Sequence, residues 1–108
     1  MTKTFVMTSM FDQSWAAMGL DDSDLLSLQT LLLVDPEAGD LMPRCGGARK
    51  VRVAAKSHGK RGGARVVYVD IVYRDEIYLL LAYPKNEMEK LTAVQEKALR
   101  QLVKSLKE

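Results

Sequence analysis

Hydrophobic and polar positions change period several times along the chain, and each change marks an element. Residues 2–8 alternate loosely, Phe5 and Met7 against Thr4, Val6 and Thr8, the period-two pattern of a short strand. Ser9 stands where an N-cap would open a brief helix running to about Met18, and Gly19 ends it. Asp21 is a second N-cap, followed by Asp22 and Asp24 in the first turn, where the helix dipole favours negative charge. Leu25, Leu28 and Leu32 recur at helical spacing until Asp35-Pro36 stops the run. The spacing predicts two antiparallel helices packed on a sheet. Two prolines and three glycines between Asp35 and Gly47 read as a linker.

Beyond the linker, Lys50-Val51-Arg52-Val53 alternates strictly, as a half-buried strand does. Residues 57–63 form a glycine-rich loop, and a strand rich in Val, Ile and Tyr follows from Arg65 to Val72. Arg74-Asp75-Glu76 is a polar turn. Ile77 to Tyr83 is a continuous apolar run, expected of a central strand covered on both faces. Thr92 and Gln95 make a capping box for a last helix to about Lys107. Its apolar stripe is expected at Val94, Ala98, Leu102 and Leu106, supplemented by Leu99 and Val103. The order β-α-α-β-β-β-α predicts an α+β fold, a single domain over residues 1–108. In it a small, mainly antiparallel sheet is packed by two N-terminal helices and a C-terminal helix.

Composition adds few constraints. The hydrophobic fraction of 47% and charged fraction of 28% are those of an ordinary soluble protein. Cys45 is the one cysteine, so no intramolecular disulfide can form and a reducing compartment fits. The N-terminus lacks the apolar stretch of a signal peptide, and the most apolar run, Leu25 to Val34, is too short to span a bilayer. A cytoplasmic protein with no membrane partner is expected.

Charge changes the picture. From Thr4 to Pro43 there is no Lys or Arg, only carboxylates. Arg44, Arg49, Lys50, Arg52, Lys56, Lys60, Arg61 and Arg65 then follow with no Asp or Glu among them, half of the 16 cations in the chain. A net charge of +2 thus hides a concentrated positive patch, and phosphates are its natural ligand. Lys50 and Arg52 share one strand face, and Arg65 begins the neighbouring strand across the loop. Antiparallel neighbours lie about 5 Å apart, so the three heads can converge on one phosphate. A passive, solvated basic hairpin is the plain alternative.

The loop does not make a Walker A site, because Lys60 is followed by Arg61 and no helix begins there. His58 in such a loop is ordinarily just solvated. Lys85, after Tyr83-Pro84, stands at the rim of the sheet, where a cation could complete a basic pocket. The tyrosines at 68, 73, 78 and 83 are, in strands, more often packing residues than base-stacking platforms. One His and one Cys cannot make a zinc site, and no cofactor or metal is expected.

The stretch Gly46-Gly47-Ala48-Arg49-Lys50-Val51-Arg52-Val53, with Gly59-Lys60-Arg61-Gly62-Gly63-Ala64-Arg65-Val66-Val67-Tyr68 and Tyr83-Pro84-Lys85-Asn86-Glu87, resembles the RelE/ParE superfamily of type II toxins, most closely its HigB-like branch. The resemblance spans nearly the whole chain. It implies a RelE-like, microbial-ribonuclease-type fold and a metal-independent endoribonuclease that cleaves messenger RNA on the translating ribosome. Carried over position by position, it implies catalytic roles for Lys50, Arg52, Arg65 and Lys85. Arg49, Lys56, Lys60, Arg61 and Tyr83 are the expected RNA-binding residues. Two positions depart from the family pattern. Leu91-Thr92 stands where some relatives place a catalytic tyrosine, and Asn86 where some carry a further arginine.

The partners so implied are a cognate antitoxin, messenger RNA and the ribosome, with a free toxin that is monomeric. The antitoxin is expected either to cover the basic surface or to dock on the acidic helical hairpin from Asp12 to Asp40. Two other functions share the pattern: a ParE-like toxin that poisons gyrase, and a non-catalytic RNA-binding module.

Overall fold

The structure is a computed structural model that describes residues 3–54, 63–85 and 91–108. Five strands form one sheet in the order β1-β5-β4-β3-β2: β1 Thr4–Met7, β2 Asp40–Leu41, β3 Arg49–Val53, β4 Ala64–Ile71 and β5 Glu76–Pro84. β1 runs parallel to β5 and the other neighbours are antiparallel. Helices α1 (Ser9–Ala17) and α2 (Asp22–Val34) cover one face, and α3 (Ala93–Lys107) covers the other. The α+β layering agrees with the sequence expectation.

Local chemistry sets the helix ends. The cap of α1 is Thr8 rather than Ser9: its hydroxyl accepts the Phe11 N–H while donating to the carbonyls of Leu79 and Leu80, which ties the helix start to β5. α2 opens with a reciprocal capping box between Asp21 and Asp24, and α3 with one between Thr92 and Gln95. Leu28 and Leu32 of α2 and Phe11 and Trp15 of α1 fill the first core, against Val51, Val53, Val66, Tyr68, Ile77 and Leu79. Val67, Val69, Leu80 and Tyr83 look the other way, toward Val103 of α3.

Two expectations need correcting. The linker contains a strand, β2, which pairs Asp40 with Lys50 and Leu41 with Arg49. Two residues are too few to show a period. β5 is, as expected, an interior strand covered on both faces: it lies between β1 and β4, with Ile77 and Leu79 in one core and Leu80 and Tyr83 in the other. The run of apolar residues in β5 includes an irregularity at Leu80: Val67 faces Leu81 while Tyr68 faces Leu79. Finally, α3 seats itself through Leu99, Val103 and Leu106, whereas Val94 is 78% exposed.

Polar fastenings account for that rotation of α3. The guanidinium of Arg44 forks onto Glu96 with two bonds of 2.9 Å, and Arg100 donates to the Arg44 carbonyl. At the other end Tyr73 donates to the Lys107 carbonyl, and Arg74 to the carbonyls of Leu106 and Glu108. These carbonyls have no partner within the helix.

A second fastening sets the edge of the sheet. Tyr68, fully buried on β4, accepts the Gly39 N–H at 3.0 Å and donates to the Pro36 carbonyl at 2.7 Å. Burial pushes its phenol pKa up, so the hydroxyl keeps the proton it donates. A Cβ on Gly39 would lie 2.6 Å from the Lys50 carbonyl oxygen, so only glycine allows β2 to approach β3.

Tyr68→Phe leaves the Gly39 N–H and the Pro36 carbonyl without their partner and should cost about 1–3 kcal/mol in denaturant unfolding. Gly39→Ala should destabilise as well, through the clash with β3. The Arg44 fork holds the Glu96 carboxyl below its ordinary pKa. Its stabilisation is therefore present above the unfolded carboxyl value, about 4.3, and is lost as pH falls through the lower folded value. Glu96→Gln should lower Tm at pH 7, with the gap to wild type closing as the scan moves below about pH 4.

Candidate nucleic-acid interface

The alternation of β3 decides where its cations go. Val51 and Val53 are buried against α1 and α2, so Lys50 and Arg52 project from the opposite face, the one α3 covers further along. On β4, Ala64 and Val66 are buried on the α1 and α2 side, which turns Arg65 to that same opposite face. The register then pairs Arg52 directly with Arg65, and Arg65 with Tyr83 of β5. One row crosses three strands: Arg52, Arg65, Tyr83. Lys50 begins the next row, opposite Val67.

Close backbone approach holds the row together. Gly63, just before β4, has a φ of 62°, and a Cβ there would lie 2.0 Å from the Val53 carbonyl oxygen. Glycine thus lets the hairpin close at Val53 and Ala64, one pair beyond Arg52 and Arg65. Like charges opposite each other on a sheet repel. Among the described residues neither Lys50 nor Arg52 has an ion pair. Arg52 is exposed, Lys50 and Arg65 half-buried.

Tyr83 is 7% exposed, so its ring forms a wall rather than an open stacking surface. Burial raises its phenol pKa, partly offset by the positive charge of Arg65. The neutral phenol is therefore a possible proton donor at the inner end of the row. Lys85 is exposed in the turn just after β5, whose last paired residue, Pro84, faces Ala64. It sits at the same end of the sheet as Arg52 and Arg65.

The other cations of the run have different positions. Arg49 points to the opposite side from Lys50, donating to the Gly39 carbonyl at 2.9 Å and to Glu37 at 3.1 Å. It braces the β2 edge and is not brought to the row. Arg44 is engaged by Glu96. Lys56, Lys60 and Arg61, with His58, lie outside the described residues, as do Asn86 and Glu87.

Two cavities flank the row. A nearly all-apolar one of about 410 Å³ lies between α3 and the sheet, walled by Met42, Val67, Leu81, Tyr83, Leu99 and Leu102. A smaller one, about 240 Å³, is lined by Ser23, Asp24, Ser27 and Leu31 of α2 and by Arg52, Val53 and Ala54 at the end of β3. The sequence reading named neither, because each is made by residues far apart in the chain. Among the described residues no helix is long and apolar enough to cross a membrane.

Comparison with known proteins bears on the fold and the family. The chain of the intact E. coli RelBE toxin-antitoxin complex superposes with a TM-score of 0.57 at 15% identity, covering 80% of this chain and 100% of that one. The isolated E. coli RelE toxin superposes with a TM-score of 0.52 at 18% identity, covering 94% and 99%. At these identities the likeness is one of fold. The family model described as the RelE toxin of the RelE / RelB toxin-antitoxin system matches residues 7–108. That match takes in both N-terminal helices, the whole cationic hairpin and the last helix, and the chain belongs to this RelE toxin family.

Proposed function

We propose that this RelE-family chain is an endoribonuclease of the HigB-like branch that cuts messenger RNA on the translating ribosome, with an antitoxin as its regulator. The observation that carries the reading is the direct cross-strand pairing of Arg52 with Arg65, continued by Tyr83 and flanked by Lys50. Guanidiniums set opposite each other on neighbouring strands repel, and an anion bound between them relieves that repulsion. A phosphodiester fits, since its two non-bridging oxygens can each take a fork.

The reaction needs no metal. Lys50, acting as the neutral amine, takes the proton of a ribose 2′-hydroxyl, whose oxygen attacks the adjacent phosphorus. As that O–P bond forms, the bond from phosphorus to the 5′-oxygen breaks, and Lys85 supplies a proton to the departing oxygen. The products are a 2′,3′-cyclic phosphate and a 5′-hydroxyl. Arg52 and Arg65 stabilise the charge that builds on the phosphorane oxygens, the kind of contribution worth about 3 kcal/mol per donor. Tyr83, buried and neutral, can hold the phosphate or replace Lys85 as acid. The identity of acid and base is the finer part of this proposal. Arg49, committed to Glu37 and Gly39, is left to hold the strand edge.

Purified protein added to ribosomes translating a defined message should yield fragments ending in cyclic phosphate. Arg65→Ala or Arg52→Ala alone should slow cleavage by about 10²–10³-fold, and Lys50→Ala with Arg65→Ala should abolish it. A DNA strand of the same sequence should stay whole, because it lacks the attacking hydroxyl. Undiminished cutting by the double variant would sink the mechanism. Intact message with DNA damage on induction would indicate a gyrase poison, and salt-sensitive binding of uncut RNA would indicate a binding module.

A further inference from the structure

All the cations of α3 lie on one flank of the helix. Lys97, Arg100, Lys104 and Lys107 recur at i, i+3, i+7 and i+10. At 3.6 residues per turn that confines them to about 80° of arc along about 15 Å. All of them are exposed. The flank beside them, Val94, Ala98, Gln101, Leu102 and Ser105, has no charge. A surface that serves solubility alone intersperses both signs, and here one sign keeps to one side.

The fold turns this flank toward the strand that carries the row. Arg100 donates to the Arg44 carbonyl at 2.9 Å and Lys107 to the Gly46 carbonyl at 3.1 Å, both in the loop that leads into β3. Gly46 lets that loop lie against the helix, since a Cβ there would be 3.3 Å from Val103. Lys50, the second residue of β3, projects from the same sheet face that α3 covers. Bonds to carbonyls leave the charges in place. Glu96, the carboxylate on this side of the helix, is already forked by Arg44, and Lys97 and Lys104 have no ion pair among the described residues. Cations three and four residues apart on a helix repel, and a bound polyanion relieves that repulsion.

A row of positive charge about 15 Å long fits a phosphodiester backbone, which presents a negative charge about every 3.4 Å along each strand of a duplex. Because flank and row share one side of the sheet, a single strand can touch both, and this favours RNA over an acidic protein segment. We infer that the cationic flank of α3 is a second RNA contact, holding the phosphate backbone of the message strand beyond the linkage placed at Arg52 and Arg65. The inference rests on reading the row as an RNA site. Lysines grip phosphates as point charges, so the contact adds affinity and register without sequence preference.

The test uses the full chain and a labelled 2′-O-methyl oligoribonucleotide of about 12 residues, which lacks the attacking hydroxyl and stays whole while the backbone charge is kept. Fluorescence anisotropy is read across a salt series. Lys97→Gln with Lys104→Gln changes two exposed positions and should retain the Tm. It should weaken binding at least about 10-fold at low salt and flatten the slope of log K against log salt by about 1.4, at about 0.7 for each lost phosphate contact. Lys97→Arg with Lys104→Arg should bind as the wild type does. Val94→Glu with Ser105→Glu makes the same change of net charge on the uncharged flank, and should cost less than about 3-fold with the slope retained. An unchanged slope in the glutamine pair, or equal loss from the two changes of net charge, overturns the inference. So does a loss seen only with a duplex of the same length, since a structured RNA would then own the flank. The two readings fail separately: cutting that survives Arg52→Ala with Arg65→Ala strikes the row, and binding that survives the glutamine pair strikes the flank.

Discussion

One hydroxyl group fixes the edge of the sheet on which the cationic row is built. Tyr68 reaches from the middle strand to the chain just after α2, accepting from Gly39 and donating to Pro36. Those bonds hold β2 against β3, and Arg49 reinforces them by donating to the Gly39 carbonyl and to Glu37. β3 would otherwise be the edge of the sheet, and edge strands are the ones whose register is least constrained. A slip of one residue would send Lys50 and Arg52 into the first core and bring Val51 and Val53 out. The geometry of the site therefore depends on a buried tyrosine that takes no part in the proposed chemistry.

The row brings like charges together. Arg52 stands opposite Arg65, and the backbone permits it because Gly63 lets the hairpin close and the valines on the reverse face are buried. Apolar burial on one side of a two-sided strand supports charge concentration on the other. The same logic explains why Arg49 and Arg44 are spent structurally. Each has a carboxylate in reach, Glu37 or Glu96, and so leaves the field of the row.

Much of this was legible in the residues. The strict alternation of Lys50 to Val53 gave the strand and its two faces, and the boxes at Asp21 and Thr92 gave the helix starts. The pairing of Lys50, Arg52 and Arg65 on one face followed from the same period. What escaped depends on contacts distant in sequence. β2 is too short to carry a period, and the role of Arg49 rests on Glu37 and Gly39 across the linker. α3 has apolar residues on more than half its circumference, so pattern alone could not choose between Val94 and Leu99 as its buried side. The choice is made by Arg44, Tyr73 and Arg74, which grip the helix at both ends. Thr8 displaced Ser9 as a cap because its hydroxyl serves β5 as well.

The division of charge along the chain becomes a division in space. The acidic first third folds into α1 and α2 on one side of the sheet, and the basic hairpin turns its cations to the other. Interleaving the two would have set Asp and Glu beside more of these cations, as Glu37 and Glu96 stand beside Arg49 and Arg44. Keeping them apart leaves Lys50 and Arg52 without ion pairs among the described residues.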